Sequence, residues 1–479
     1  MDKLERLFQQ LEYLLPLATA TVGVAAIAVW ITSARVDDLE LRLPGQDGRP
    51  ASGSADSGKE VQAGQPVVGP GQPAAIPGNW PGFRGPDRTG VVRSEVPLAR
   101  RWRSGGPPLL WQVTVGPGHA GPAVAEGRVF LLDYDVAAQA DTVRALSLAD
   151  GQEIWRNSYP VEVPENHGSS RTVPAVSGNY VVTLGPKCHL ACWEATTGRC
   201  LWLVDLVKRY GTEVPPWYTG QCPLVDNGAV IVAPAGRALM VALDLATGSP
   251  LWESPPVPDF QMSHTSITPI EFNGRKMYIY LATGGIAVVD AKTGQLLCVT
   301  RDFVGKMATC PSPVALTDGY LFFCGGYGAG SLLAQLELKG TEVSFRVVRR
   351  LSARDYGSEH QTPIFYDGYL FGSRCPPGAP QFVCLAPSGQ ILWTSGADRF
   401  IRGSYVVGDG LIYALDENGT LFLIEARPDE YRVLDKFTIW PDAQDTWGPM
   451  ALVAGRLLLR DFRRLACLDV SAEGNREGP

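Results

Sequence analysis

Short apolar runs alternate with polar turn clusters along most of the chain, and one unit of the pattern is clearest at Ala242–Trp252, Ala-Leu-Asp-Leu-Ala-Thr-Gly-Ser-Pro-Leu-Trp. The apolar residues before Asp244 end a strand. Asp244 and Thr247-Gly248 supply a turn whose glycine accepts positive φ, and Leu251-Trp252 open the returning strand. Weakened copies stand at Ala145–Trp155, Cys192–Trp202, Val288–Cys298 and Val383–Trp393. The first four of the hairpin glycines lie 46 to 50 residues apart, the spacing of propeller blades.

A second landmark repeats independently. A proline followed by a small or apolar residue occurs at Pro122, Pro174, Pro223, Pro269, Pro313, Pro363 and Pro449, with Ser404 in the place of an eighth. Turns such as Asp226-Asn-Gly228, Phe272-Asn-Gly274 and Tyr366-Asp-Gly368 follow, each leading into a short apolar strand. Strand, turn, strand and hairpin make four strands per unit, so the sequence predicts an all-β, eight-bladed β-propeller of four-stranded blades over 79–479. The last unit lacks a Leu-Trp strand. Leu109-Leu-Trp-Gln-Val113, ahead of the first blade, has that signature and is predicted to close the ring as the outer strand of the last blade.

Ahead of the propeller, a short tail (1–13) precedes a stretch without charge from Glu12 to Arg35. Residues 14–34 match the ~30 Å apolar core of a bilayer as one helix. The alternative is a cleaved signal peptide, for which Thr32-Ser33-Ala34 is a poor cleavage site. An uncleaved transmembrane anchor is therefore expected. Lysine and arginine flank it on both sides, so the positive-inside count leaves its orientation open. Residues 35–78, dominated by Gly, Pro, Ala, Ser and Gln from Pro44 onward, read as a flexible linker.

Composition sharpens this reading in two places. Fifty-three glycines and 38 prolines suit a turn-rich β protein, and a net charge of −7 without basic runs argues against a nucleic-acid surface. The ten cysteines form no Cys-x-x-Cys motif, so neither a zinc ribbon nor attached haem is supported, and any disulfide pairing stays open. Cys188 and Cys192 flank His189 in an apolar strand and read as small buried thiols rather than a metal site.

Four of the five histidines, His119, His167, His264 and His360, fall three to seven residues before a blade-opening proline. That segment approaches the innermost strand at the mouth of the central channel. Corresponding segments offer Arg171, Tyr218, Gln221, Thr309, Arg402 and Trp447. Together these ten residues are the candidate ligand or partner funnel, with no catalytic or metal residue among them. Trp111, Trp155, Trp202, Trp252 and Trp393 recur once per blade and are read as docking residues between sheets.

Trp80-Pro-Gly-Phe-Arg-Gly-Pro-Asp-Arg-Thr-Gly-Val91, followed by the Thr-Gly-x-x-x-Trp hairpins, resembles the bacterial PQQ-like (quinoprotein-type) β-propeller repeat proteins, which include relatives of the outer-membrane assembly factor BamB. The resemblance spans about residues 80–470 and implies one of two functions. The first is a non-enzymatic scaffold without cofactor that binds an envelope protein or other ligand through the funnel, here as a single-pass protein of the bacterial inner membrane with its propeller on the periplasmic side. The second is a PQQ- and Ca²⁺-dependent dehydrogenase of alcohols or sugars. Against the second, the chain has no adjacent cysteine pair of the kind those enzymes carry. Asp259, Glu165 with Asn166, and Glu359 are available as calcium ligands but match no motif. BamB itself is a lipoprotein, whereas no cysteine here precedes Cys188.

Overall fold

A computed structural model describes residues 19–29, 60–375 and 380–476. Residues 19–29 form a helix whose Val22, Val24, Ile27 and Val29 are exposed. Eleven residues span about 16 Å. No helix among the described residues is long and apolar enough to cross a membrane, and the rest of the expected anchor, 14–18 and 30–34, lies outside them.

The propeller has eight sheets. Their innermost strands are Ala123–Ala125, Ala175–Ser177, Leu224–Asp226, Thr268–Phe272, Val314–Ala315, Ile364–Tyr366, Tyr405–Gly408 and Ala451–Val453, which begin blades 1 to 8. Seven of them follow a landmark proline within a few residues or include it, and Ser404 precedes the remaining one. The turn after the first strand is the left-handed pair the sequence proposes: Asn227 and Gly228 take φ of 49° and 76°, and Asp367 and Gly368 take 48° and 83°. Turns with both central residues at positive φ match the twist of the strands they join, which is why Asn-Gly and Asp-Gly recur there.

The hairpin between the third and outer strands has its own chemistry. Asp244 Oδ1 accepts from the Thr247 amide (2.9 Å) and hydroxyl (2.8 Å), while the Gly248 amide donates back to Asp244 O (2.8 Å). The ladder then slips by one residue between Ala242 and Leu243. The same Asp–Thr bonds recur at Asp290 and Thr293, and the same slip in the other blades from 1 to 7. In the blades whose outer strand carries a tryptophan, the ring next to this bulge reaches the next blade. Trp111 Nε1 donates to Leu148 O, Trp155 to Ala195 O, Trp202 to Leu245 O and Trp393 to Arg427 O. The Trp252 ring lies over Gly294 of the next blade.

Four of these rings, Trp111, Trp155, Trp202 and Trp252, lie over the hairpin glycine of the next blade. A Cβ on Gly248 would stand 2.7 Å from the Trp202 ring, on a backbone already at φ 69°. Gly248→Ala is therefore expected to cost ~1–3 kcal/mol, read by denaturant unfolding. A cost below that of an exposed glycine without a neighbour, such as Gly274→Ala, would contradict this docking account.

Leu109–Thr114 pairs antiparallel with Arg464–Asp469, Trp111 opposite Cys467, and so supplies the outer strand of blade 8. Two departures from four-stranded blades occur, both made by the N-terminal segment. Val67–Val68 adds a fifth strand outside Glu153–Pro160 of blade 1. Gly64, Gly69 and Gly71 bond along the same strand, and neither Gly69 nor Gly71 has room for a Cβ beside it. Residues 64–74 of the stretch read as a linker are thus bonded to blade 1, whereas 35–59 fall outside the described residues. Val91–Val92 adds a fifth strand to the inner edge of blade 7, parallel to Tyr405–Gly408.

Candidate functional site

Val91–Val92 is the end of a plug across the central channel. Trp80 exchanges backbone bonds with Val124 of blade 1, Pro81 O accepts from Val176 of blade 2, and Arg88 Nη1 donates to Pro223 O ahead of blade 3. Arg84 reaches the opposite side of the ring. Its guanidinium donates to Thr362 O (2.7 Å) and Pro363 O (3.0 Å) ahead of blade 6, and to Arg88 O and Thr89 O within the plug. Proline and glycine keep this segment out of helix and sheet, so its carbonyls and the two arginines take their partners from the ring.

Above the plug is a cavity of about 300 Å³. Trp80, Phe83, Arg84 and Gly90 form its floor, and the segments approaching the innermost strands of all eight blades form its wall. Of the ten residues the sequence proposes for the funnel, the wall includes His119, His167, Arg171, His264, His360, Arg402 and Trp447. The other three turn away. Tyr218 gives its hydroxyl to Pro164 O, and the buried Gln221 binds the backbone amide and carbonyl of Ala233. Thr309 is buried behind the wall, and its carbonyl accepts from the His264 amide. Trp217, Tyr327, Cys310 and the whole floor were not among the sequence candidates.

Trp447 organises the mouth. His119 stacks on it at 4.7 Å, His360 meets it edge-on at 4.8 Å, and the Arg402 guanidinium lies 5.2 Å from its ring centre. Its Nε1 donates to Glu417. Arg402 also donates to Glu359 Oε2 (2.6 Å), so burial, which alone would lower its pKa, is outweighed by that carboxylate. His119 Nε2 is 2.9 Å from His167 O. Tyr327 Oη lies 3.3 Å from His360 Nε2.

Arg171 is held differently. It bonds only to backbone carbonyls: Nε to Trp217 O, and Nη2 to those of Asn166, His167 and Gly168. Burial lowers its pKa to about 10, which leaves it cationic at neutral pH. Burial and then the Arg171 charge push His264 down to about 3, and His119 and His360 also fall well below the ordinary value, chiefly by burial. The three imidazoles are therefore neutral donors and acceptors at pH 7.

This sets a pH dependence. A histidine with a depressed folded pKa binds fewer protons folded than unfolded, so stability is full above the unfolded value near 6.5 and falls toward the folded one. The buried Asp141, raised to about 7 by burial, acts in the opposite sense over part of that range. The difference between variants isolates the histidine: His264→Gln is expected to flatten the fall in unfolding free energy between pH 6.5 and 5, measured by denaturant titration, by up to ~1.4 kcal/mol per pH unit. Parallel curves for the two proteins would show that His264 is protonated in the fold.

The residues the sequence offers as calcium ligands do not line the cavity. Asp259 is exposed and, like Glu165 and Asn166, outside the cavity lining, while Glu359 is bonded to Arg402. Among the described residues no group of three or more His, Cys, Asp or Glu is placed to hold a metal ion, and all ten cysteines are free thiols.

The hairpin repeat, the eight blades and the ring closure agree with a sequence comparison in which residues 139–379 match the family described as outer membrane protein assembly factor BamB. The chain belongs to that family. Among solved structures, BamB from Moraxella catarrhalis is 15% identical with a TM-score of 0.53, covering 76% of this chain and 99% of that one. A computationally designed protein, Ika8, is 12% identical with a TM-score of 0.52, covering 76% and 99%. A europium-containing methanol dehydrogenase is 13% identical with a TM-score of 0.44, covering 80% and 90%. The likeness to BamB and Ika8 shows the fold alone. No curated protein matches the chain.

Proposed function

We propose that this BamB-family propeller is a non-enzymatic scaffold of the bacterial cell envelope, tethered to the inner membrane by its N-terminal helix, and that it binds a protein partner at the mouth of its central channel. One observation carries the reading. A walled and floored cavity gathers aromatic and cationic side chains from every blade, as a site of recognition does. No carboxylate among the described residues lines it, so the acid–base pair that a dehydrogenase of alcohols needs has no candidate there. The uncharged stretch between Glu12 and Arg35 supports the tether, and the family's description as an assembly factor supports a protein partner.

Photo-crosslinking on the full chain in membranes tests this. A photoreactive residue at the exposed His167, on the cavity wall, is expected to form an adduct with an envelope protein, and one at the exposed Leu251, on an outer strand, is not. Trp447→Ala should weaken the His167 adduct while shifting the unfolding temperature by only a few degrees. Equal adducts from both positions would place binding on the flank of the ring and overturn the funnel reading.

A further inference from the structure

The charged side chains lining the cavity are all of one sign. Arg84, Arg171 and Arg402 contribute guanidinium groups, and no aspartate or glutamate among the described residues joins them. The three are not equivalent. Arg84 is bound by four carbonyls and holds the floor. Arg402 is engaged by Glu359, with Glu417 4.0 Å away. Arg171 is half-buried, faces no carboxylate in an ion pair, and directs its bonds to carbonyls through Nε and Nη2. Neither hydrogen of its Nη1 is used in those bonds.

Arg171 is attracted through space by Asp445 but has no carboxylate among the described residues within ion-pair distance, and a planar guanidinium edge favours a planar anion. The surrounding wall is aromatic and apolar, with Trp217, Tyr327, Met307 and Trp447 beside the charged groups. The volume, about 300 Å³, suits one or two side chains rather than a folded element. We propose that the cavity receives an acidic residue from an exposed loop of the partner protein, its carboxylate on Arg171 and a neighbouring aromatic or aliphatic side chain against Trp447. The inference rests on the funnel being the binding surface and adds the chemistry of what enters it. Neutral histidines fit the same occupant, because they add hydrogen-bond donors to the wall without further repulsion of the arginines.

The test uses the full chain in detergent and a pair of blocked tripeptides, phenylalanyl-aspartyl-glycine and its asparaginyl counterpart, which differ only in carboxylate against amide. Calorimetric titration is expected to show the aspartyl peptide binding at least about tenfold more tightly, as one charge-assisted hydrogen bond provides. Arg171→Gln should abolish the difference. Because Arg171 also ties the carbonyls of its own loop, that variant is judged with its unfolding temperature, and the peptide pair on the unaltered protein decides the matter alone. Equal binding of both peptides would overturn the carboxylate inference and leave the funnel reading intact. Binding of neither would also overturn it, while the crosslinking experiment judges the funnel separately. Acetate or inorganic phosphate displacing the aspartyl peptide at equal concentration would show a site for free anions and not for a peptide residue.

Discussion

Trp155→Ala is expected to destabilise the propeller by ~3–5 kcal/mol, the ordinary cost of emptying a buried tryptophan site. Trp155 is 1% exposed, packs beside Phe130 within blade 1, covers Gly198 of blade 2, and donates to Ala195 O of the same blade. Its removal opens a cavity between sheets and strands a buried carbonyl at once. In a ring, loosening one seam relaxes both neighbours, so the loss should appear as a lower unfolding temperature for the whole domain in calorimetry. Trp447→Ala is the control. That residue is half-buried at the mouth and holds only the wall of the cavity. If the two variants unfold at the same temperature, seam and mouth tryptophans do not differ in structural role.

Arg84→Ala is expected to free the plug. Four carbonyls, two of them across the channel, lose their donor together. Even partial replacement by water leaves a local loss of ~2 kcal/mol or more, which raises the open population more than about tenfold. Arg88 and Arg93 lie in or just after the plug and are sites for trypsin. Limited digestion should therefore cut the variant between residues 84 and 94 while the ring survives, with the native protein resistant over the same time. Equal resistance would mean that the backbone pairing of Trp80, Gly90 and Val91 is sufficient to hold the segment.

Much of this architecture is written in local chemistry. Asn227-Gly228 and Asp367-Gly368 state their turns because few other pairs take positive φ twice, and Asp244 with Thr247 states its hairpin through side-chain bonds to its own backbone. Ring closure was legible because Leu109–Val113 repeats a signature that the last blade lacks. Blade 5 shows where the signature fails. Its outer strand, Glu342–Leu351, has no tryptophan, and Leu351 takes that place over Gly389 of blade 6. The mouth was legible in part, since a fixed distance from each proline places a residue in the right loop. It does not say which way the side chain points, so Gln221 and Tyr218 were grouped with the wall although they bond behind it.

The plug was not legible at all. Trp80–Val91 has no hydrophobic period, and its partners Val124, Pro223, Thr362 and Val407 are spread over the whole propeller. Nothing local marks such a segment as the floor of a site. Val67–Val68 escaped for the same reason, being two residues in a glycine-rich stretch that pairs with a strand far along the chain.

The order of the chain gives the plug a temporal meaning. Synthesis delivers it before any blade exists, yet the strand that Val91–Val92 joins comes roughly three hundred residues later, and the last blade later still. The floor that Arg84 and Val91–Val92 complete therefore waits for blades 6 and 7, so a chain that stalls before them has the wall segments of its first blades without a bottom.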